Sequence, residues 1–239
     1  MSAPNTRFHR QQGVALITVM VLLLLTSIAV AGLARSGWMA DKFVSAESDR
    51  QRAFAAAEAL IRDAEMDIAG IGVDPAACQL SPGNLVGCRA IADPFFPESI
   101  DDLDGLLAKV SQGQGNCLRG VCLPADPAVA LATPWPEDLK ELTAGAGAAS
   151  IPARYGEFTG ASADTTGNPL LSPAANQAWY WVEVFQHDSQ GGILTAAPQG
   201  LEPESEHPFM YRIHAVVLGN KPGTKVHLRS IFIPYPARP

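Results

Sequence analysis

One uncharged stretch constrains this chain more than any other feature, and it runs from Val14 to Ala34. As an α-helix it would be about 30 Å long, which matches the hydrocarbon thickness of a bilayer. The composition of the whole 239-residue chain is average, with 47% apolar residues. Positions 35 to 69 carry frequent charges, so the apolar content is concentrated in this one block. We therefore expect residues 14–34 to span a membrane.

The block has three simpler interpretations. A secretory signal peptide would use Arg7 and Arg10 as its positive region and an Ala29-Val30-Ala31 cleavage site, but such apolar regions are usually only about 7 to 15 residues long. A plain membrane anchor is the second alternative. Its orientation is not set by the basic residues, because two precede the block and two follow it, Arg35 and Lys42. A buried core helix is the third alternative, and the length of the uncharged run disfavours it.

The junction in front of the block separates these alternatives. Residues 10–17 are Arg-Gln-Gln-Gly-Val-Ala-Leu-Ile, a basic and polar leader that ends in glycine directly before the apolar run. This arrangement resembles the class III signal of type IV prepilins, in which a dedicated peptidase cuts after the glycine and methylates the new amino terminus. The resemblance implies a leader at 1–13 and cleavage between Gly13 and Val14. The mature chain would have 226 residues, 13 fewer than the precursor, and its net charge would change from −7 to −9.

Helical periodicity continues over residues 35–69 with a different polarity. No proline interrupts residues 14–69, so these residues predict an amphipathic continuation of the helix that ends near Gly70. Two helices broken between Gly32 and Gly37 are the alternative. Trp38 and Lys42 suit the headgroup region just beyond the apolar block. The predicted packed face comprises Phe43, Ala46, Arg50, Ala53, Ala57, Leu60, Ala64 and Ile68. The predicted charged face comprises Asp49, Arg52, Glu58, Arg62, Asp63 and Glu65.

The segment 50–65 sharpens the resemblance. It is Arg-Gln-Arg-Ala-Phe-Ala-Ala-Ala-Glu-Ala-Leu-Ile-Arg-Asp-Ala-Glu, which at this distance from a class III signal is similar to the PilX group of type IV pilus minor pilins. A weaker similarity lies in the strand pair at 211–215 and 226–232. The resemblance implies an α+β, type IV pilin-like fold. In that fold a long N-terminal α-helix packs on a C-terminal antiparallel β-sheet, with a long irregular insertion between them.

The globular part divides into two predicted segments. Residues 70–175 are rich in glycine, proline and alanine and predict an irregular insertion, with short helices near 100–110 and 137–142. Residues 176–239 predict an antiparallel sheet with one face on the helix and one face in solvent. Alternating residues place its strands at 179–185, 209–217 and 225–233, and the turn Gly219–Gly223 joins the last two as a hairpin.

The four cysteines, Cys78, Cys88, Cys117 and Cys122, all follow the membrane segment. In an oxidising periplasm they predict two disulfides. Three pairings are open, and short separation favours Cys78 with Cys88 and Cys117 with Cys122. A zinc site is the alternative, but the spacings C-x9-C and C-x4-C fit paired zinc ligands poorly.

Other clusters offer weaker candidates. His214 and His227 could share one face of the hairpin and hold a metal, although two solvated histidines are the favoured interpretation. Arg212 and Arg229 would repel on that face unless the strand register or Glu183 relieves them. The cluster Asp101, Asp102 and Asp104 could coordinate calcium, but the dipole of a helix N-terminus explains it without a metal. The sequence carries no phosphate loop, HExxH or nucleophile elbow, so we predict no metal, no cofactor and no enzyme activity.

The resemblance to PilX-type chains implies a minor pilin that primes pilus assembly at or near the tip and supports twitching motility and adhesion. It would be a single-pass protein of the inner membrane with its C-terminal domain in the periplasm. Implied partners are prepilin peptidase, other minor pilins, the major pilin, the inner-membrane assembly platform and a PilY-type tip adhesin. The acidic balance, with 24 acidic against 17 basic side chains, argues against nucleic acid as a partner.

One departure from the pilin pattern bears on position in the filament. Most pilins carry a glutamate as the fifth mature residue, where it is thought to pair with the amino terminus of a neighbouring subunit, and here that place is Thr18. A subunit with no neighbour above it has reason to lack this carboxylate. Thr18 therefore indicates the extreme tip, as in the GspK pseudopilin of type II secretion. A GspK-type pseudopilin and an unrelated membrane-anchored periplasmic binding domain remain the alternatives, and an exported enzyme is a weaker third.

Overall fold

The computed structural model describes residues 14–74, 88–89, 93–113, 116–123, 152–187 and 202–236. The chain divides into two compact units, one that ends at Ser48 and one that begins at Asp49. The predictions for Gly13, Cys78 and the short helix at 137–142 lie outside the described residues.

The helix α1 runs from Val14 to Ile68 and is continuous through Gly32 and Gly37. The alternative of two helices is therefore wrong. No proline interrupts this sequence, so its ladder of backbone hydrogen bonds is complete. Packing does not require either glycine, because a Cβ atom added at Gly32 or Gly37 would meet no heavy atom within 4 Å.

The predicted end of α1 is confirmed, and its geometry explains the need for glycine. Gly70 has a φ of +65°, a left-handed conformation that glycine adopts without strain. The amide of Ile71 donates to the carbonyl of Met66 at 2.9 Å, and the amide of Gly70 donates to that of Asp67 at 3.1 Å. This pair of bonds is a Schellman motif, which satisfies the last carbonyls of the helix.

The other elements in the described residues are short helices and five strands. A 3₁₀ helix at Ile100–Asp102 leads into α2 at Leu103–Val110, which confirms the helix predicted near 100–110. The remaining short helices are α3 at Ala163–Thr166 and a 3₁₀ turn at Pro169–Leu171. The strands are β1 at Cys117–Leu118, β2 at Val121–Cys122, β3 at Ala178–Gln186, β4 at Phe209–Leu218 and β5 at Lys225–Phe232.

The strands form one sheet in the order β1-β2-β3-β4-β5. The long strands β3, β4 and β5 pair antiparallel, as predicted, with Tyr180 opposite Ala215 and Val217 opposite Val226. The sheet as a whole is mixed, because β2 runs parallel to β3. The hairpin β1–β2 comes from the segment 70–175 and was not predicted. The C-terminal sheet thus extends into a segment that the sequence marked as irregular.

One hydrophobic core joins α1 to the inner face of the sheet. Ala53, Ala56, Ala57 and Leu60 are fully buried in the same cluster as side chains of β3 and β4. The prediction that the other face of the sheet is in solvent is wrong for β4, where residues 209–217 are buried on both faces. The buried outward side chains of β4 include Arg212, His214 and Val216.

Candidate functional site

The apolar block of α1, residues 14–34, is the first candidate site, because its surface is apolar and exposed in this unit. By length and composition, α1 is able to cross a membrane. Large side chains of the apolar block are strongly exposed, such as Leu16 at 73% and Leu33 at 73%. A lipid bilayer or a neighbouring apolar helix would remove this surface from water, which is favourable in proportion to its area. The prediction of a membrane helix at residues 14–34 is consistent with this exposure.

The hydroxyl groups inside the apolar block are satisfied within the helix. Thr18 Oγ1 donates to the carbonyl of Ala15 at 2.9 Å. Thr26 and Ser27 donate in the same way to the carbonyl of Leu23, at 3.0 and 2.7 Å. These side chains therefore place no unsatisfied polar group in the block, and Thr18 adds no charge to it.

Three aspartates on the second half of α1 attach distant segments to the helix. Asp49, Asp63 and Asp67 are all buried, at 5%, 3% and 5% exposure. The prediction that Asp49 and Asp63 lie on an exposed charged face is therefore wrong. They lie on the same face as Ala53 and Leu60, where donors from other parts of the chain replace water.

Asp49 holds the turn between β4 and β5. Its two carboxylate oxygens accept the backbone amides of Asn220 at 3.0 Å and Lys221 at 2.9 Å. Burial acts to raise the pKa of Asp49, but the two amide donors outweigh it and keep the pKa below its ordinary value. Gly219 is required beside it, because a Cβ atom there would lie 2.4 Å from Asp49 Oδ2.

Asp63 holds the loop around residues 156–161. It accepts the backbone amide of Gly156 at 2.8 Å and the hydroxyl of Thr159. Burial raises the pKa of Asp63 to about 6, and these two hydrogen bonds only partly oppose the rise. Repulsion from Asp67 and Glu157 adds to it.

Asp67 lies at the centre of a buried ion pair. Arg89 donates to it twice, from Nε at 2.9 Å and from Nη2 at 2.6 Å, and Tyr180 donates its hydroxyl at 2.8 Å. Burial raises the pKa of Asp67, and the guanidinium of Arg89 opposes that rise. The Arg89 guanidinium stacks 3.8 Å from the ring centroid of Phe158, and that of Arg119 lies 4.9 Å from the same ring.

The disulfide Cys117–Cys122 closes the hairpin β1–β2, as predicted. The turn residues Arg119 and Gly120 both have positive φ, at 45° and 81°, which is the conformation of a type I′ hairpin turn. The side chain of Arg119 pairs with Asp93 and with Glu157. Cys88 is also disulfide-bonded, but its predicted partner lies outside the described residues, so that pairing stays a prediction.

His214 and His227 meet on the outer face of the sheet, but not as two solvated rings. His214 is 7% exposed, stacks on Trp181 and shares its Nε2 with Glu183 at 2.7 Å. Its Nδ1 lies 3.2 Å from His227 Nε2, while the ring centroids are 5.4 Å apart. The centroid distance exceeds the nitrogen distance by about the sum of the two ring radii. Both nitrogens therefore lie on the line between the two centroids and point at each other. That is the geometry of a shared hydrogen bond, whereas metal ligands converge on a third point.

The two arginines near this histidine pair avoid the repulsion that the sequence raised, both through the strand register and through Glu183. Arg212 lies opposite Ile231 and Arg229 lies opposite His214, so the two arginines are not cross-strand partners. Arg212 instead donates to Glu183 at 2.5 Å. Burial acts to raise the pKa of Glu183, but bonds from His214 and Arg212 hold it below its ordinary value. Burial, together with the charge of His214, lowers the pKa of His227 to about 4.

The acidic cluster at 101–104 acts as a helix cap. Asp102 Oδ2 accepts the amide and hydroxyl of Ser99, both at 3.0 Å, and the amide of Glu98 at 3.2 Å. The backbone amide of Ser99 contributes most to lowering the pKa of Asp102. These contacts form a capping box between Ser99 and Asp102, which gives Asp102 a structural role without a metal. Within the described ranges, no group of three histidine, cysteine, aspartate or glutamate side chains is placed to hold a metal ion.

Comparison with known families gives two matches. A family model described as PilX N-terminal matches residues 12–62, and one described as type IV pilus assembly protein PilX C-term matches residues 118–234. The first range includes the apolar block and most of α1, and the second includes Leu118 of β1 and all of β2 to β5. No curated protein and no solved structure matches the chain.

Proposed function

The chain belongs to the PilX family of type IV pilus assembly proteins, and we propose that it is a minor pilin that primes pilus assembly and stays at the pilus tip. It is made as a prepilin in the inner membrane with residues 49–239 in the periplasm. Prepilin peptidase cuts it between Gly13 and Val14 and methylates Val14. The assembly platform then inserts it with other minor pilins ahead of the major pilin, where a PilY-type adhesin can join it. Twitching motility and adhesion depend on this complex.

The contact of Thr18 supports the tip position. The Thr18 side chain is neutral, and its hydroxyl donates to the carbonyl of Ala15 in the same helix. It therefore needs no partner from another subunit. An unpaired carboxylate costs about 2.5 to 3.5 kcal/mol at the centre of a membrane helix, and one near the end of the span would also be unfavourable unless it were paired. A subunit with no neighbour above it has no such pair, and Thr18 suits that position.

Substitution of Thr18 tests the tip position. We expect Thr18→Glu to reduce the number of pili, while Thr18→Val leaves piliation unchanged because it removes only an internal hydrogen bond. Thr26→Glu is the matched control for a charge elsewhere in the span. Immunogold labelling then locates the subunit on the filament. Full piliation by Thr18→Glu with label along the shaft would contradict the tip position.

Mass spectrometry of the mature N-terminus tests the processing step. We expect a methylated Val14, and we expect Gly13→Leu to leave the leader in place. A start near Gly32 would instead show secretory cleavage, and an intact Met1 would show a plain anchor.

Gene deletion separates the two filament systems, because a pilus subunit is needed for surface pili and twitching, whereas a GspK-type pseudopilin is needed for type II secretion.

A further inference from the structure

Three residues just beyond the apolar block share one face of α1. Arg35, Trp38 and Lys42 are spaced by three and four residues, which brings them into line on a helix. Lys42 Nζ lies 3.6 Å from the ring centroid of Trp38. Helical side chains lean toward the N-terminus, so Lys42 reaches back one turn toward the apolar block. Asp41, the nearest acid, is turned away from Lys42 by about 100° around the helix axis.

The placement of the two basic residues runs against the usual membrane pattern. Basic residues that flank a span concentrate on the cytoplasmic side. In the proposed topology Arg35 and Lys42 lie on the periplasmic side. Removal of the leader would also take Arg7 and Arg10 away, so these two would be the nearest basic side chains to the span in the mature chain. An attractive partner at the periplasmic surface would account for this placement.

We propose that Arg35, Trp38 and Lys42 form a binding site for the phosphate of an anionic phospholipid in the periplasmic leaflet of the inner membrane. The proposal rests on the proposed function, because it needs residues 14–34 to span the membrane and residues beyond them to be exported. The end of the uncharged run at Ala34 places the next turns of the helix in the headgroup layer. Headgroup phosphate is the anion that is abundant at that depth.

Each residue has a separate part in this site. The Trp38 indole is amphipathic and is 63% exposed, so it can lie among headgroups with its ring in contact with lipid. The Arg35 guanidinium can donate two parallel hydrogen bonds to one phosphate. The Lys42 ammonium has one side against the Trp38 ring, and the N–H groups on its other side can donate to a second phosphate oxygen. The chain as a whole is acidic, so the attraction is local to this face.

The test uses the full mature chain in lipid nanodiscs and measures quenching of tryptophan fluorescence by brominated lipid. One set of nanodiscs contains brominated phosphatidylglycerol in phosphatidylethanolamine, and the other contains brominated phosphatidylethanolamine at the same mole fraction. The Trp38 contribution is obtained by subtracting the Trp38→Phe version of each variant. We expect phosphatidylglycerol to quench Trp38 more, because a basic side chain favours an anionic lipid surface by roughly fivefold.

A paired variant assigns the preference to this site. Arg35→Gln with Lys42→Gln should abolish the preference for phosphatidylglycerol. Arg50→Gln with Arg62→Gln removes the same amount of charge from exposed positions farther along α1. This control should keep the preference for phosphatidylglycerol. Equal quenching by both lipids in the unaltered chain, or equal loss in the two paired variants, overturns the lipid site and leaves the membrane span intact. Absence of quenching by either lipid would overturn the proposed membrane residence as well.

Discussion

The buried carboxyl of Asp63 makes stability depend on pH in a direction opposite to most carboxylates. Its pKa is raised to about 6 in the folded chain by burial, from about 3.9 in an unfolded chain. Between these two pH values the folded state holds a proton that the unfolded state releases. Stability from this group is therefore fully present below about pH 4 and is lost as pH rises through 6. A shift of about two units corresponds to about 3 kcal/mol.

The groups that face Asp63 do not reverse this direction. Asp67 and Glu157 repel its charged form and act in the same sense as burial. The carboxylates of Asp49 and Glu183, whose pKa values are lowered, lose their stabilising effect as pH falls from their ordinary pKa values through the lowered ones, near and below the acidic end of this range. His227, whose pKa is lowered to about 4, acts in the opposite direction in the same range, because the unfolded chain takes up its proton as pH falls below about 6.5. The contribution of Asp63 is therefore the difference between the unaltered chain and a variant without this carboxyl, measured from about pH 4 to pH 7.

Asp63→Asn removes the titration and keeps the shape. The amide oxygen can still accept from Gly156, and Thr159 can rotate its hydroxyl to accept from the new amino group. We expect the free energy of unfolding of the unaltered chain, relative to this variant, to fall by about 3 kcal/mol between about pH 4 and pH 7, so that the variant equals or exceeds the unaltered chain at neutral pH. Urea unfolding of the full chain in a neutral detergent, followed by the fluorescence of buried Trp179, measures the free energy at each pH.

An exposed aspartate serves as the matched control. Asp101→Asn makes the same chemical change at an exposed position of the first helical turn before α2. It should leave the slope of stability against pH unchanged. The reasoning is refuted if Asp63→Asn keeps the slope of the unaltered chain, or if the difference between the two proteins has the opposite sign.

Three further variants probe the packing of residues 49–239. Leu60→Ala creates a cavity at a fully buried position and should lower the free energy of unfolding by about 2 to 5 kcal/mol, measured in urea. Asp49→Ala removes both acceptors for the β4–β5 turn, so we expect faster hydrogen exchange of those turn amides and a loss of roughly 2 to 3 kcal/mol. Cys117→Ser with Cys122→Ser opens a short loop and should cost about 2 kcal/mol, whereas an unchanged urea midpoint would contradict this estimate.

Local signals in the sequence were enough to predict the regular elements. The uncharged run, the periodicity up to Ile68 and the glycine at 70 define α1, because each acts through neighbours along the chain. The alternation of apolar and polar residues likewise located both ends of β3, β4 and β5 with an error of no more than one residue. The hairpin β1–β2 carried no such signal, because strands of two residues are too short to show a period. Its disulfide was the only indication that residues 117 and 122 lie together.

The polar contacts of the core could not be predicted, because their partners are distant in sequence. Asp63 is separated from Thr159 by 96 residues, and Asp49 from Lys221 by 172. A charged residue on an amphipathic helix is normally exposed, and only a donor from elsewhere makes its burial favourable. The same reasoning failed for His214, whose polar side chain is buried against Trp181 and Glu183.

The residues that carry the family resemblance have a structural explanation in this arrangement. Within segment 50–65, Ala53, Ala56, Ala57 and Ala64 are fully buried in the core shared with the sheet. A methyl group is the smallest side chain that still fills space in a helix without loss of rotamer freedom, so these positions favour close packing of the helix. Asp63, in the same segment, supplies the acceptor that holds the loop around residues 156–161. The pattern therefore specifies how the second half of α1 packs against the sheet and the loop around residues 156–161.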